Sequence, residues 1–251
     1  MKQFSLFCRL MLLCLVCSFS MPAFSQGVAI YKKDGTMVKF AYEEIDSIVT
    51  YNYGEEPVIP VTYEAVDLGL PSGLKWANYN VGATKPEEYG GYYAWGETEE
   101  KEDYSWETYK WCNGSYKTLT KYCTDSGIGT VDNETVLDPE DDVAHVKWGG
   151  DWRMPTTEEQ GELIDNCTWE WTALNGVNGY KVTGPNGNSI FLPAAGYRNG
   201  TDVSYSGNYY WSSSLYRGSS DGAYYLSFNG SNYDRGGNYR YFGRSVRPVT
   251  K

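Results

Sequence analysis

The sequence predicts an α+β fold in which two short helices pack on an irregular antiparallel sheet. Two stretches carry helix signals, one beginning near Asp138 and the other near Thr156. The rest of the chain from Val61 consists of short segments dense in glycine, tryptophan and tyrosine, which is typical of short strands joined by long loops. A smaller β-rich segment precedes this region.

The first 25 residues predict a secretory signal peptide. Two basic residues precede an apolar run from Leu10 to Phe19, and Ala23-Phe24-Ser25 supplies a cleavage pattern of small residues. A membrane-spanning helix needs about 20 apolar residues, roughly twice this run. We therefore expect an exported protein, at the cell surface, in the periplasm or secreted, with no transmembrane segment in the mature chain. Lipid attachment through Cys14 or Cys17 stays open.

The predicted mature chain is strongly acidic. The net charge of −11 at pH 7 becomes −13 without residues 1–25, which hold two bases and no acid. This charge disfavours nucleic acid as a partner of the whole surface. Three cysteines remain, Cys112, Cys123 and Cys167, so at least one thiol is free or intermolecular. A bridge between Cys112 and Cys123 and three reduced thiols both fit the sequence.

Residues 26–53 are predicted to form a small β-rich module. Apolar and polar residues alternate around Lys33-Asp34-Gly35, which predicts a β-hairpin, and Ile45, Ile48 and Val49 predict a turn into another strand. Such a unit is too small to bury a core alone. Residues 54–60 are interpreted as a linker and residues 61–251 as the main domain.

The first helix is predicted from its acidic start. Asp138 is a plausible N-cap, Pro139 suits the first helical position, and Glu140, Asp141 and Asp142 favour the positive end of the helix dipole. The same acids could hold a hard cation, but helix capping explains these residues and is the preferred interpretation.

The second helix is predicted from a capping box. Thr156 and Glu159 have the required spacing, and Leu163, Ile164 and Cys167 fall on one helical face.

Several motifs occur in order along the main domain. They are LPSGLKWANYNVGA (70–83), YYAWGE (92–97), LDPEDDVAHVKWGGDWRMPTTEEQGEL (137–163), FLPAAGYR (191–198), YWSSS (210–214) and SVRPV (245–249). This series resembles the Fibrobacter succinogenes major paralogous domain family. The resemblance implies a C-type-lectin-like fold related to formylglycine-generating enzymes, which is a scaffold and does not itself imply a chemistry. Residues 26–53 are similar to small N-terminal modules of exported Bacteroidetes proteins.

We expect no enzyme activity. His145 is the only histidine, and a lone histidine inside a helix is more often a packing or surface residue than a catalyst. The sequence contains no zinc-ligand pattern, nucleophile elbow, P-loop or dinucleotide fingerprint. The paired reactive cysteines that formylglycine-generating enzymes carry near the C-terminus have no counterpart, because no cysteine follows Cys167.

We expect no cofactor either. Sugar-binding C-type lectins hold calcium with Glu-Pro-Asn or Gln-Pro-Asp together with Trp-Asn-Asp, because these oxygens bind both calcium and sugar hydroxyls. This sequence has neither triplet, and Gly184-Pro185-Asn186 lacks the acidic residue.

The C-terminal third has the composition of a recognition surface. From Gly196 to Lys251 seven bases face three acids, and 20 of the 26 residues between Tyr216 and Tyr241 are Tyr, Ser, Asn, Asp or Gly. Antibody paratopes use this alphabet, because tyrosine supplies rigid contact area and the small polar residues adaptable hydrogen bonds. We expect a surface protein or a glycan as the ligand.

Strand periodicity places this segment within the fold. Tyr224, Leu226 and Phe228 are predicted to point inward, and Ala223, Tyr225 and Ser227 outward.

The restricted residue composition of this segment has a second explanation in the substitutions that asparagine codons allow. Replacing the adenines of an asparagine codon yields Tyr, Ser, Asp and Gly but never Glu, Lys or Gln, and these three are absent from residues 197–250. The pattern resembles the variable region of proteins targeted by diversity-generating retroelements, here residues 197–249. The alternative is an undiversified adhesin or envelope component. The resemblance makes Tyr210, Trp211, Ser212, Ser213, Leu226, Phe228, Val246, Arg247 and Pro248 framework residues. The predicted ligand contacts are Tyr205, Asn208, Tyr209, Tyr216, Ser220, Asp221, Tyr225, Asn229, Asn232, Tyr233, Asp234, Asn238, Tyr239 and Tyr241.

Overall fold

The computed structural model describes residues 27–31, 35–41 and 63–251. The chain divides into two compact units, Met1–Val61 and Thr62–Lys251. The predicted signal peptide, the predicted linker and the strand predicted around Ile48 lie outside the described residues. Within the described part, no helix is long and apolar enough to cross a membrane.

The first unit contains the predicted hairpin. Strands β1 (Gly27–Tyr31) and β2 (Met37–Ala41) pair antiparallel, with Ile30 opposite Val38. Ile30 and Phe40 are exposed, so the hairpin buries little apolar surface among its own described residues.

The second unit consists mostly of short strands with two short helices, which confirms the α+β class. All its strand pairs are antiparallel. Three sheets have three strands each and one has two. The strands are β3 (Ala65–Asp67), β4 (Lys75–Ala77), β5 (Thr168–Leu174), β6 (Val177–Thr183), β7 (Ser189–Pro193), β8 (Tyr197–Asn199), β9 (Asp202–Ser204), β10 (Asn208–Leu215), β11 (Gly222–Asn229), β12 (Asn232–Tyr239) and β13 (Val249–Thr250).

The first predicted helix begins later than expected. Pro139–Asp141 forms a separate 3₁₀ turn, and helix α1 extends only over Val143–Trp148. Asp138 makes no side-chain cap bond, whereas Asp142 Oδ1 accepts hydrogen bonds from the amides of Ala144 (2.9 Å) and His145 (3.1 Å). Asp138 therefore stands at the N-cap position of the 3₁₀ turn, where Pro139 comes first as predicted, but its prediction as the N-cap of the α-helix is wrong. The chain is extended at Asp142, and the α-helix starts only after it.

The second helix is confirmed. Helix α2 extends over Thr157–Asn166, and its capping box is complete: Thr156 Oγ1 accepts from the amide of Glu159, and Glu159 Oε2 accepts from the amide of Thr156. Leu163 is buried, and Ile164 and Cys167 pack against the same core cluster.

The sheet β10-β11-β12 is packed on both faces. Leu226 and Phe228 lie in one core cluster with Leu163 of α2, and Ala223 lies in a second cluster with Trp95 and Val246. Ala223, predicted to point to solvent, is fully buried, and Tyr225 packs partly against this second cluster. The outward prediction fails because other segments of the chain cover both sides of β11.

The described cysteines are all free thiols. Cys112 and Cys123 are buried and Cys167 is half-buried. The bridge between Cys112 and Cys123, which the sequence left open, is not formed.

Candidate functional site

Aromatic rings from several elements of the second unit form a continuous row of ring-to-ring contacts, in which Phe242 is buried. Tyr225 and Tyr209 meet edge to face at 5.1 Å between ring centroids, and Tyr209 and Tyr197 at 5.2 Å. From Tyr197 the row passes to Phe242 at 5.7 Å, and Phe242 lies 4.5 Å from Tyr241. We call this row, with the further members described next, the aromatic strip.

The far end of the aromatic strip is completed by a loop that precedes the first helix. Tyr241 lies 5.0 Å from Trp106, and Trp106 lies 6.3 Å from Tyr116. Tyr239 stacks on Tyr241 at 5.8 Å and also contacts Trp106 at 5.9 Å. Tyr116 and Tyr239 are exposed. The aromatic strip therefore comprises Tyr225, Tyr209, Tyr197, Phe242, Tyr241, Tyr239, Trp106 and Tyr116.

Glycine makes room for the ring of Tyr225. Gly236 faces Tyr225 across β11 and β12, and a β-carbon at that position would lie 2.6 Å from the Tyr225 hydroxyl. Asp234 and Asn238 alternate with Gly236 along β12 and therefore lie on the same side of the sheet. Each side chain accepts a hydrogen bond from the next amide of its own strand. Both residues are exposed.

A buried arginine lies behind the aromatic strip. The Arg244 guanidinium carbon is 4.1 Å from the Trp211 ring centroid, 4.2 Å from that of Tyr225 and 4.6 Å from that of Tyr209. Burial lowers the pKa of Arg244 to about 9, so the group is still charged at neutral pH. Its Nε and Nη1 atoms have no hydrogen-bond partner among the described residues.

Three of the seven bases of the C-terminal third are internal. Arg240, Arg244 and Arg247 are all buried. Arg240 donates to the carbonyls of Tyr122 and Lys121 at 2.8 Å each. Arg247 donates to Asn80 Oδ1 and to the carbonyl of Phe191, also at 2.8 Å. These two arginines join distant segments of the fold.

Two of the predicted contact residues are buried and used internally. Asn208 accepts from the amide of Gly196 and donates to the carbonyl of Phe228. Ser220 accepts from the amide of Thr124 at 2.9 Å. Neither side chain is at the surface.

Three predicted contacts lie at the turn between β11 and β12. Tyr233 stacks on Trp169 at 4.5 Å, with 15° between the ring planes. Asn229 Oδ1 closes the turn by accepting from the amides of Ser231 (2.9 Å) and Asn232 (3.0 Å). Tyr233 belongs to the core face that also holds Leu226, so it is not part of the aromatic strip.

The remaining predicted contacts are dispersed. Tyr216 packs edge to face on Tyr224 at 5.0 Å, beside a polar concavity of about 300 Å³ that Arg217 also lines. Asp221, five residues after Tyr216, is half-buried. Tyr205 is exposed and contacts Tyr89 at 6.3 Å.

Sequence reasoning missed half of the aromatic strip. Tyr209, Tyr225, Tyr239 and Tyr241 were predicted contacts, whereas Trp106, Tyr116, Tyr197 and Phe242 were not. The density of aromatic residues in SWETYKW (105–111) was the available signal for the loop.

The buried acidic residues and His145 of the described part are engaged in contacts within the fold. Asp142 uses both oxygens on backbone amides, accepting from Met154 at 2.8 Å as well as from α1. His145 Nδ1 lies 3.3 Å from the carbonyl of Trp152. Asp141 is paired with Lys110 and Lys121. Within the residues that the structure describes, no three His, Cys, Asp or Glu side chains are grouped to hold a metal ion.

Comparison with known proteins finds no match: no family model, no curated protein and no solved structure is similar to this chain.

Proposed function

We propose that the chain is an exported binding protein of C-type-lectin-like fold, without enzyme activity, that recognises a macromolecular ligand through the aromatic strip. The observation that carries this proposal is the strip itself. Its rings come from the loop at Trp106 and Tyr116, from the β8 and β10–β11 region, and from Tyr239–Phe242.

The chemistry of the aromatic strip suits recognition. Tyrosine and tryptophan give large contact area with few rotatable bonds, and they dominate the binding energy of many interfaces. Asp234 and Asn238 border the strip with exposed polar groups. A surface protein or a glycan would be held in this way without a bound cation.

Burial supports the idea that a variable surface is mounted on a constant frame. The framework residues that the resemblance indicated, among them Trp211, Leu226 and Val246, are buried. Tyr239, Asp234 and Asn238 are exposed, so replacing them would leave the core intact. We propose diversification of residues 197–249 on this basis. Sequencing the gene from sister cells tests it: an invariant segment with no neighbouring reverse transcriptase gene would favour the undiversified adhesin.

The binding role is tested with matched alanine variants. The full chain is screened against arrays of surface proteins and glycans, and each ligand found is measured again with Trp106→Ala and Tyr239→Ala. We expect losses of about 2 kcal/mol or more in binding free energy, as at interface hot spots. Trp171→Ala is the control, because Trp171 is an exposed aromatic residue outside both the strip and residues 197–249. Equal binding by all variants that retain their thermal stability would overturn the proposal.

A further inference from the structure

Arg244 differs from the other buried arginines of the domain. Arg240 and Arg247 each donate hydrogen bonds to backbone carbonyls. Among the described residues Arg240 Nε also lacks a hydrogen-bond partner, but both Nη atoms of Arg240 have one. Arg244 has the same burial, with 1 % of its surface exposed, and both its Nε and its Nη1 lack a partner among those residues. Buried charged groups are normally paired and hydrogen-bonded, so two unpaired guanidinium donors call for an explanation.

No acid in residues 63–251 forms a salt bridge with Arg244. Two carboxylates interact electrostatically with rings of the strip, Asp234 with Tyr225 and Glu107 with Tyr241. Asp234 is engaged by the amide of Arg235 at 2.7 Å. Among the described residues the charge behind Tyr209 and Tyr225 is therefore stabilised by aromatic rings and has no carboxylate partner, in a chain that is acidic as a whole.

The arrangement of the rings favours an anionic group over a sugar. Tyr225, Tyr209, Tyr197 and Phe242 meet at 85° to 90° between ring planes, so their faces are largely occupied by one another's edges. Sugars stack on open ring faces, whereas ring edges carry partial positive charge and phenol hydroxyls donate hydrogen bonds. A positive guanidinium behind such rings strengthens the attraction for a carboxylate.

We propose that the aromatic strip recognises an acidic segment of a protein, and that Arg244 selects a carboxylate side chain at the end formed by Tyr209 and Tyr225. Both rings are only half-buried, and the guanidinium lies directly behind them. This inference rests on the proposed function, because it requires the strip to be a binding surface.

The test uses the full chain with isotope-labelled arginine and two matched peptides, Ac-Gly-Glu-Gly-Glu-Gly-Glu-NH2 and its glutamine counterpart. We expect the glutamate peptide to shift the Arg244 Nε–H resonance saturably and to bind about tenfold or more tightly than the neutral peptide. We expect added salt to leave this affinity unchanged or to raise it. Salt screens the long-range repulsion between the acidic chain and the acidic peptide more than it screens the attraction of the buried Arg244 charge for a glutamate.

Arginine variants test whether Arg244 causes the preference for the glutamate peptide. Arg244→Met should lose about tenfold in affinity for the glutamate peptide, and Arg244→Lys should keep the acidic preference because it keeps the charge. Arg217→Met is the control, since Arg217 is exposed and lies outside the strip. Equal binding of the two peptides, or an acidic preference that survives in folded Arg244→Met, overturns the inference. If Arg244→Met does not fold, the resonance shift and Arg244→Lys still decide.

The combined results distinguish a failure of the acidic preference from a failure of the proposed binding function. If a screened ligand needs Trp106 but neither peptide binds, the strip is a binding surface and the acidic preference alone is wrong. If Trp106→Ala changes the binding of no screened ligand, both proposals fail. Binding of a hyaluronan tetrasaccharide without binding of the glutamate peptide would make the ligand an acidic glycan and overturn the choice of a protein segment.

Discussion

The ring of Tyr225 lies against Gly236, its partner across β11 and β12, so closely that a β-carbon on Gly236 would be 2.6 Å from the tyrosine hydroxyl. Tyr225 in turn lies 4.2 Å from the Arg244 guanidinium carbon. One glycine thus determines how the ring, the arginine and the strip fit together.

Gly236→Ala should therefore displace the ring of Tyr225. We expect a loss of about 1–3 kcal/mol in the free energy of unfolding, the usual cost of forcing extra volume into a packed site. Chemical denaturation measures it. Gly230→Ala is the matched control, because an added β-carbon there meets Trp171 only at the ordinary contact distance of 3.5 Å. Equal stability of the two variants would contradict the packing described.

Asp142→Ala should destabilise the domain much more than Asp138→Ala. Removing Asp142 leaves three amide groups without their acceptor, which we expect to cost about 2 kcal/mol or more in the free energy of unfolding. Asp138→Ala removes only an ion pair with Lys121, which contributes about 1 kcal/mol or less to the free energy of unfolding. Denaturant titration of both variants checks the order, and the reverse order would restore Asp138 as the cap.

The capping box of α2 should make stability depend on pH. Burial raises the pKa of Glu159, but the hydrogen bonds from Arg153 and from the amide of Thr156 outweigh it, and the pKa lies below its usual value. A lowered folded-state pKa means that the stabilisation is present above the unfolded-state pKa of about 4.3 and is lost as pH falls through the folded-state value.

Glu159→Gln tests this dependence. We expect the wild-type chain to exceed the variant in free energy of unfolding at neutral pH, and the difference to shrink steadily in acid below about pH 4.3. Thermal unfolding across this range measures it. A difference that is constant with pH would show that the ionised form of Glu159 contributes nothing.

The half-buried cysteine should be slow to react despite its partial exposure. Burial raises the pKa of Cys167 to about 11, so little thiolate forms at mildly alkaline pH, and thiolate is the reactive form. We expect iodoacetamide to modify the native chain slowly and all three described cysteines rapidly once it is unfolded in denaturant. Mass spectrometry of timed samples measures both rates, and fast native labelling at Cys167 would contradict the burial.

The sequence predicted those features that depend only on residues close together along the chain. The α2 capping box requires only Thr156 and Glu159 three positions apart, so the sequence was sufficient for it. Asp138 failed as a cap because several acids in succession offer equivalent local signals, and packing chooses among them. The strand at Ala223–Phe228 was found by its alternation, but the burial of its second face depends on segments far away in the chain.

The strip shows the same limit. Tyr209, Tyr225, Tyr239 and Tyr241 were found by composition, because they lie in the segment with the unusual alphabet. Trp106 lies more than a hundred residues earlier and joins them only in the folded chain. The burial of Arg244 could not be predicted either, since an arginine in a polar segment is ordinarily exposed.

The contacts of the last strand affect how the domain reaches its native state. Val249 pairs with Trp76, and Arg247 bonds Asn80, so the first and last parts of the domain close on each other. Contacts between such distant residues form slowly, because a long loop must be ordered before they add stability. Synthesis must reach Val249 before this pairing can form, so the core cluster that contains both Trp76 and Val249 is completed only when almost all of residues 63–251 have been made.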